Sequence, residues 1–390
     1  VQNELLQIPA IHSMGYDGSG VLIGIFDTGY QTGHPAFSQT DIIAQYDFVD
    51  HEPDASGVGH NHGINVLSAT GAYLPGEVIG PAYAASYLMA RTEDVTIEAR
   101  SEEDNWVAAM EWADSLGVDI ITTSLNYFLE FDDPDENYPA SALDGQTTII
   151  AQAANIAAER GILVVNSAGN EGPGVSSIWP PSDSPHVLSV GGVNAQADNV
   201  SFSGRGPTFD GRIKPDVVAL ADNVYMADGL SSYKWGDGTS FAAPQIAGLA
   251  ALLLQAQPSL SPDSIIRIFH DHGDRASAPN NIYGWGIPDI TSFFSKAKGS
   301  SSYNCLVYPN PGQSGEIRMV LSNPVSEINN QAILYDILGR EIARFETTLE
   351  TENVVKVSIP SSLLLADQLL VLQVAVNHNI YAGKFVYLKK

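Results

Sequence analysis

The chain has 390 residues, 44% of them hydrophobic, enough to bury at least one large core and long enough for two or three domains. Its 45 acidic and 18 basic residues give a formal net charge of -27, which argues against nucleic acid and anionic membrane surfaces as partners and favours cationic substrates at low salt. The single cysteine, Cys305, excludes an internal disulfide framework and a cysteine-ligated zinc site.

The chain starts at Val1 rather than Met, as expected where a signal or pro-segment has been removed. Up to about residue 295, apolar β-type runs alternate with helical patterns. "GVLIGIFDTG" (20–29), "VDIITTSLN" (118–126), "GILVVNSAGN" (161–170) and "HVLSVGGV" (186–193) are Val/Ile-rich runs closed by Gly, Asn or Ser, the pattern of strands buried on both faces. Between them, "SEEDNWVAAMEWADSLG" predicts a helix with Ser101 as N-cap, three acids in its first turn and Gly117 as its stop. "TTIIAQAANIAAERG" repeats the scheme and ends on Gly161. Alternation of this kind implies a mostly parallel sheet with helices on both sides, whose working residues gather at the carboxyl ends of the strands.

From residue 303 the character changes to alternating runs such as "EIRMVLS", "QAILYDILG" and "VVKVSIP", which predict a small all-β sandwich of about seven strands. The expected organisation is a domain over 1–295, a Lys/Gly/Ser linker over 296–302 and a second domain over 303–390. The late apolar run "LLLADQLLVLQVAV" is too short to span a bilayer and is broken by Asp367 and Gln368, so no transmembrane segment is expected.

Four stretches carry chemistry at strand ends or helix heads, and each alone has a plain structural reading. "IFDTGY" puts Asp27 at the end of a buried run, where it is either a turn residue or a carboxylate that must be paired. "GHNHGINVLSAT" places His60 and His62 before a helical run. "VVNSAGNEGP" puts Asn170 in a loop, where turn chemistry suffices. "GDGTSFAAPQIAGLAALLLQ" (236–255) sets Ser240 at the head of an apolar helix: Thr239 or Ser240 serves as N-cap, with Pro244 early enough to cost little hydrogen bonding. A hydroxyl there also lies beside free N–H groups and the positive end of the helix dipole. Together, an aspartate, a histidine, an amide and a helix-head serine are the parts of an acyl-transfer site.

In order, "DTG", "HG" before a helical run, "SAGNEG" and "GTSFAAP" resemble the subtilisin-like serine proteases, whose triad runs Asp, His, Ser along the chain. "FSGRGP" and "KPDVV" are similar to further family segments. The resemblance implies a three-layer α/β/α subtilisin-like fold with a mostly parallel central sheet. It implies catalytic Asp27, His62 and Ser240, with Asn170 binding the oxyanion, and it selects His62 over His60 because the family's base directly precedes the glycine. It also implies substrate contacts along Ser124, Leu125 and Asn126 and along Ser167, Ala168, Gly169 and Glu171.

The sequence departs from the family at Ile64 and Asn65, where the usual continuation is Thr-His, and at Asn126, where Gly is usual. The chemistry requires no cofactor. Structural calcium is compatible with the resemblance, but "AYLPGEVIGPAYAA" lacks the family's calcium-bearing insertion and no residue is assigned to the ion. His51, Glu52, His60 and His62 match no helical metal-ligand spacing, so no metal site is expected. No second Asp-Thr/Ser-Gly supports an aspartic protease, and no Gly-x-Gly-x-x-Gly supports a dinucleotide site.

In the tail, "YPNP", "LYDILGREI" and "GKFVYLKK" resemble the C-terminal sorting domain of proteins exported by the bacterial type IX secretion system. Together these readings predict a secreted or cell-surface monomeric endopeptidase acting on protein or peptide substrates, with the type IX machinery as a partner. The competing expectation is a subtilase-fold binding protein without turnover.

Overall fold

A computed structural model describes residues 1–56, 60–297, 302–308, 316–321, 331–336, 341–351, 354–360, 363, 368–376 and 379–387. The chain divides into two compact units, one of Val1–Ala251 with Pro262–Ile290 and one of Leu252–Ser261 with Thr291–Lys390. Positions 298–301 of the expected linker, and 309–311, 337–340 and 388–390 of the tail motifs, lie outside the described residues.

The first unit opens with short helices α1 (Gln2–Leu5) and α2 (Ile8–Ser13). Strands β1 (Leu22–Asp27) and β2 (Asp41–Asp47) follow, then helix α3 (His62–Gly71), a small hairpin of β3 (Tyr73–Leu74) and β4 (Val78–Ile79), and β5 (Ser86–Arg91). Helix α4 (Ser101–Ser115), β6 (Ile120–Thr123), α5 (Ile149–Glu159), β7 (Leu163–Ser167), β8 (Val187–Val193) and β9 (Val217–Leu220) continue the alternation. A second hairpin, β10 (Val224–Asp228) with β11 (Ser232–Gly236), leads into α6 (Thr239–Ala256) and α7 (Pro262–Asp271).

Seven strands form one sheet in the order β2-β5-β1-β6-β7-β8-β9, with every neighbouring pair parallel. β1, β6, β7 and β8 fall inside the four predicted runs, and their residues are buried almost throughout. β2 gave no such signal because it lies at the sheet margin with mixed exposure. On one face, Trp106, Ala109, Met110 and Ala113 of α4 and Ile150, Ala154 and Ala157 of α5 pack on Phe26, Leu88, Ile121 and Val164; each large side chain so buried contributes about 1.5–3 kcal/mol. On the other face lie α3, against β1, and α6, whose Gln245 Nε2 donates to the Leu220 carbonyl of β9 (2.8 Å).

The cap expectation for Ser101 is corrected. Ser101 is the first helical residue of α4, with Arg100 at the cap position and no side-chain cap bond; the Glu102 and Glu103 N–H groups go instead to the Ala99 and Arg100 carbonyls (3.0 Å each), while Glu102 turns back to accept the Ala99 N–H (3.1 Å). Helix α6 is long and apolar enough by composition to cross a membrane, but it is 94% buried inside the protein, as a core helix requires.

In the second unit, helix α8 (Thr291–Ala297) precedes seven strands: β12 (Ser302–Tyr308), β13 (Glu316–Leu321), β14 (Gln331–Asp336), β15 (Glu341–Thr351), β16 (Val354–Ser358), β17 (Gln368–Val376) and β18 (Asn379–Tyr387). Their two sheets share β12 and β15, so pairing runs right round in the order β12-β13-β16-β15-β14-β17-β18. All pairs are antiparallel except β12 with β18. Ile317, Met319, Leu334, Val355 and Leu372 fill the interior.

Candidate active site

Asp27 is the last residue of β1, at the carboxyl end of a central strand, and is fully buried. A carboxylate there is costly unless donors surround it. Thr28 supplies two to Oδ1, its backbone N–H at 2.7 Å and its hydroxyl at 3.1 Å. His62 Nδ1 lies 2.8 Å from Oδ1 and 2.9 Å from Oδ2. Since an ionised carboxylate only accepts, Nδ1 carries the proton and Nε2 is left as the basic nitrogen.

His62 begins α3, and the following residue has to be glycine. A Cβ on Gly63 would come within 2.4 Å of the Gly29 carbonyl, so any side chain would push the helix off the end of β1. Farther along α3, the buried Asn65 donates through Nδ2 to the Ala227 carbonyl (2.8 Å) and to Asp228 Oδ1 (3.2 Å), and Ser68 Oγ accepts the Ala227 N–H (2.8 Å). These bonds dock the histidine helix on β10. Burial disfavours the imidazolium, but the charge and hydrogen bond of Asp27 outweigh it and raise His62 above the ordinary histidine range, with Lys234 opposing.

Ser240 is the second residue of α6 and is 9% exposed. Its helix starts are satisfied from outside: Asn170 Oδ1 accepts the Thr239 N–H at 3.0 Å and lies 3.0 Å from Thr239 Oγ1, which also donates to the Gly169 carbonyl (3.0 Å). Neither Thr239 nor Ser240 is therefore the cap; Asn170 takes that part, and with its oxygen engaged, its NH2 is the end left to donate. Pro244 also differs from expectation. It lies beyond the first turn, so its missing N–H leaves the Ser240 carbonyl without a helical partner, and the Ser124 hydroxyl donates to that carbonyl instead (3.0 Å).

The structure thus joins Asp27 to His62 directly. Phe241, the residue after Ser240, packs on the imidazole with ring centroids 5.7 Å apart, and among the described residues no hydrogen bond joins Ser240 Oγ to His62. His60 stays off Asp27: its Nδ1 lies 2.9 Å from Thr28 Oγ1. A model of the subtilase family matches residues 18–286. The chain belongs to that family. Subtilisin BL of Lederbergia lenta is 31% identical over 283 residues, 72% of this chain and 93% of its own length. Subtilisin E of Bacillus subtilis (strain 168) is 30% identical over 262 residues, 65% of this chain and 60% of its own. The structure of the Clostridium perfringens CspB protease shares the fold, with a TM-score of 0.65 and 16% identity over 76% of this chain and 99% of that one.

The remaining predicted residues of this subtilase line the ends of β6 and β7. Leu125 is 9% exposed, and Ser167 and Ala168 are buried. Asn126 does not take a left-handed backbone; it bridges the two strand ends, its Nδ2 donating to the Ser167 carbonyl (3.4 Å) and the Trp179 carbonyl (3.2 Å). Gly169 has φ +92°, a conformation that favours glycine. Partial removal from water raises the Glu171 carboxyl above its ordinary value. Among the described residues no group of three or more His, Cys, Asp or Glu is placed to hold a metal ion. Sequence reasoning placed Tyr127 at the end of the expected 124–127 cleft wall but missed its partners Glu93 and Glu102: the Tyr127 hydroxyl donates to Glu93 Oε1 across 34 positions, a distance that leaves no spacing signal.

Proposed function

We propose that this subtilase is a serine endopeptidase that cleaves protein or peptide substrates through an acyl-enzyme. The observation that carries the reading is the two-oxygen contact of buried Asp27 with His62 Nδ1, because it fixes the tautomer in which Nε2 is the base. Ser240 Oγ attacks the scissile carbonyl carbon while His62 Nε2 takes its proton. The oxyanion is met by the Asn170 NH2 and the Ser240 backbone N–H, both set in place before reaction. Collapse breaks the C–N bond, His62 returns the proton to the leaving amine, and water then enters by the same route to release the acid and restore Ser240. Residues 124–127 and 167–171 form the walls against which the peptide lies.

A fluorophosphonate probe tests this, since it phosphonylates only a serine that a base has activated. Mass spectrometry should find the adduct on Ser240 alone, and the adduct should vanish in His62→Ala. An unlabelled native protein would favour a binding role for the fold without turnover.

Residues 303–390 are proposed as a type IX sorting domain, which would place the protein outside the cell or on its surface; the order of the tail motifs along the sequence supports this. Expressed in a host with that machinery, the full chain should reach the medium or surface, and the chain lacking 303–390 should not.

A further inference from the structure

The proposed wall Ser124–Tyr127 is held from two sides. On one, Asn126 reaches the Trp179 carbonyl, and the Tyr127 N–H donates to the Pro180 carbonyl (3.0 Å). On the other, the hydroxyl of Tyr127, a residue only 1% exposed, donates to Glu93 Oε1, and Thr92 Oγ1 donates to the same oxygen at 3.0 Å. Thr92 in turn gives its backbone N–H to the Asp27 carbonyl (3.0 Å). A single buried carboxyl therefore ties the wall to the strand end beside the group that orients the base. The chemical step uses neither Tyr127 nor Glu93, and an apolar pair of equal volume would pack there without desolvating a carboxyl.

We propose that Glu93 is a positioning residue for substrate binding, which acts through the Tyr127 hydroxyl to hold the Ser124–Tyr127 wall where a peptide docks. The inference rests on the proteolytic reading of the site. The groups that face Glu93 are Tyr127 on the wall, Tyr30 beyond β1, which also feels Asp27, Glu98 in the loop after β5, and Glu102 of α4, whose carboxyl accepts the N–H groups of Asp94 (3.0 Å) and Ala99 (3.1 Å). All are acidic or neutral. Arg91, two positions away, is held by Asp47 and Asp50, each at 2.6 Å. Burial first, and the Glu102 charge second, keep Glu93 well above the carboxylate range, and burial raises Glu102 to about 7. On the alkaline side the Tyr127 bond itself strengthens, but repulsion between the Glu93 and Glu102 charges and the cost of keeping both from water work against the wall's seat.

Steady-state kinetics on a peptide substrate test the proposal. Tyr127→Phe should raise KM about five-fold, the equivalent of one hydrogen bond, with kcat unchanged within about two-fold. Native KM should climb above neutral pH. Glu93→Gln, whose amide oxygen still accepts the hydroxyl, should keep native KM at pH near 6 and flatten that climb. Native KM in both variants at every pH, or a fall in kcat with KM unchanged, overturns the role. Where Tyr127→Phe does not fold, or the native protein does not turn over, hydrogen-exchange protection of residues 124–128 decides. Protection lost above neutrality in the native protein but kept in Glu93→Gln supports the tie, and identical profiles overturn it. Labelling of native Ser240 by the fluorophosphonate keeps the two readings apart, since its failure counts against proteolysis alone.

Discussion

Asp27 closes β1 and accepts from the nitrogen that orients His62, so the residue-scale expectations of the proposed protease follow from that carboxylate outward. Ser240→Ala or His62→Ala should lower turnover by about 10⁶-fold, the size of the loss in subtilisin itself. Asn170→Ala should lower it by about 10²–10³-fold with KM little changed, again the subtilisin magnitude, and single-turnover kinetics would separate the two terms. Asn170→Ala should also uncap α6, because the same oxygen accepts the Thr239 N–H. Since Nε2 must be free of its proton to accept one from Ser240, kcat/KM should rise with pH through a value above the ordinary 6.5 of histidine. A pH–rate profile measures this, and Lys234→Gln should move the acidic limb upward, because the lysine charge opposes the imidazolium.

At the scale of elements, the histidine helix depends on its seat against β10. Asn65→Leu removes both Nδ2 bonds and leaves the Ala227 carbonyl without that donor, so it should cost about 1–3 kcal/mol in denaturant unfolding, with a larger relative loss in kcat than in substrate affinity. Strands β1, β6, β7 and β8 were legible because burial on both faces writes a continuous apolar run, whereas β5, equally buried, was not, since its SYLMAR run opens on Ser86 and closes on Arg91. The marginal β2 and the β10–β11 hairpin were not, since half-exposed strands carry mixed composition. Asp27, His62, Asn170 and Ser240 stood out through short motifs that local backbone geometry demands, the glycine after His62 being the clearest case. The partners that hold them were invisible. Ser124 meets the Ser240 carbonyl across 116 positions and Asn65 meets Ala227 across 162, and only the folded sheet brings such pairs together.

For the whole molecule, buried acids set the pH response. Burial raises Glu102 to about 7 and Asp183 to about 6, and raises Glu103. Each such group contributes stability that is complete below its unfolded value near 4 and is lost as pH rises through its folded value; His62, also raised, runs in the same direction. Asp216 runs the other way, because despite its burial Lys214 and His270 hold it below the ordinary carboxylate value, and its contribution fades only in acid. Thermal unfolding should therefore show its highest Tm at about pH 4 and a decline through about pH 7, where the Glu102 contribution is lost. Added salt should recover more Tm at the alkaline end, where the excess of 45 acids over 18 bases is most fully ionised. The seven C-terminal strands bear on association: with Ser302–Asn304 of the first strand paired to Ile380–Ala382 of the last, that stretch of edge is closed to an incoming chain that would extend the sheet. A strand added at that seam would first have to displace the pairing already made there.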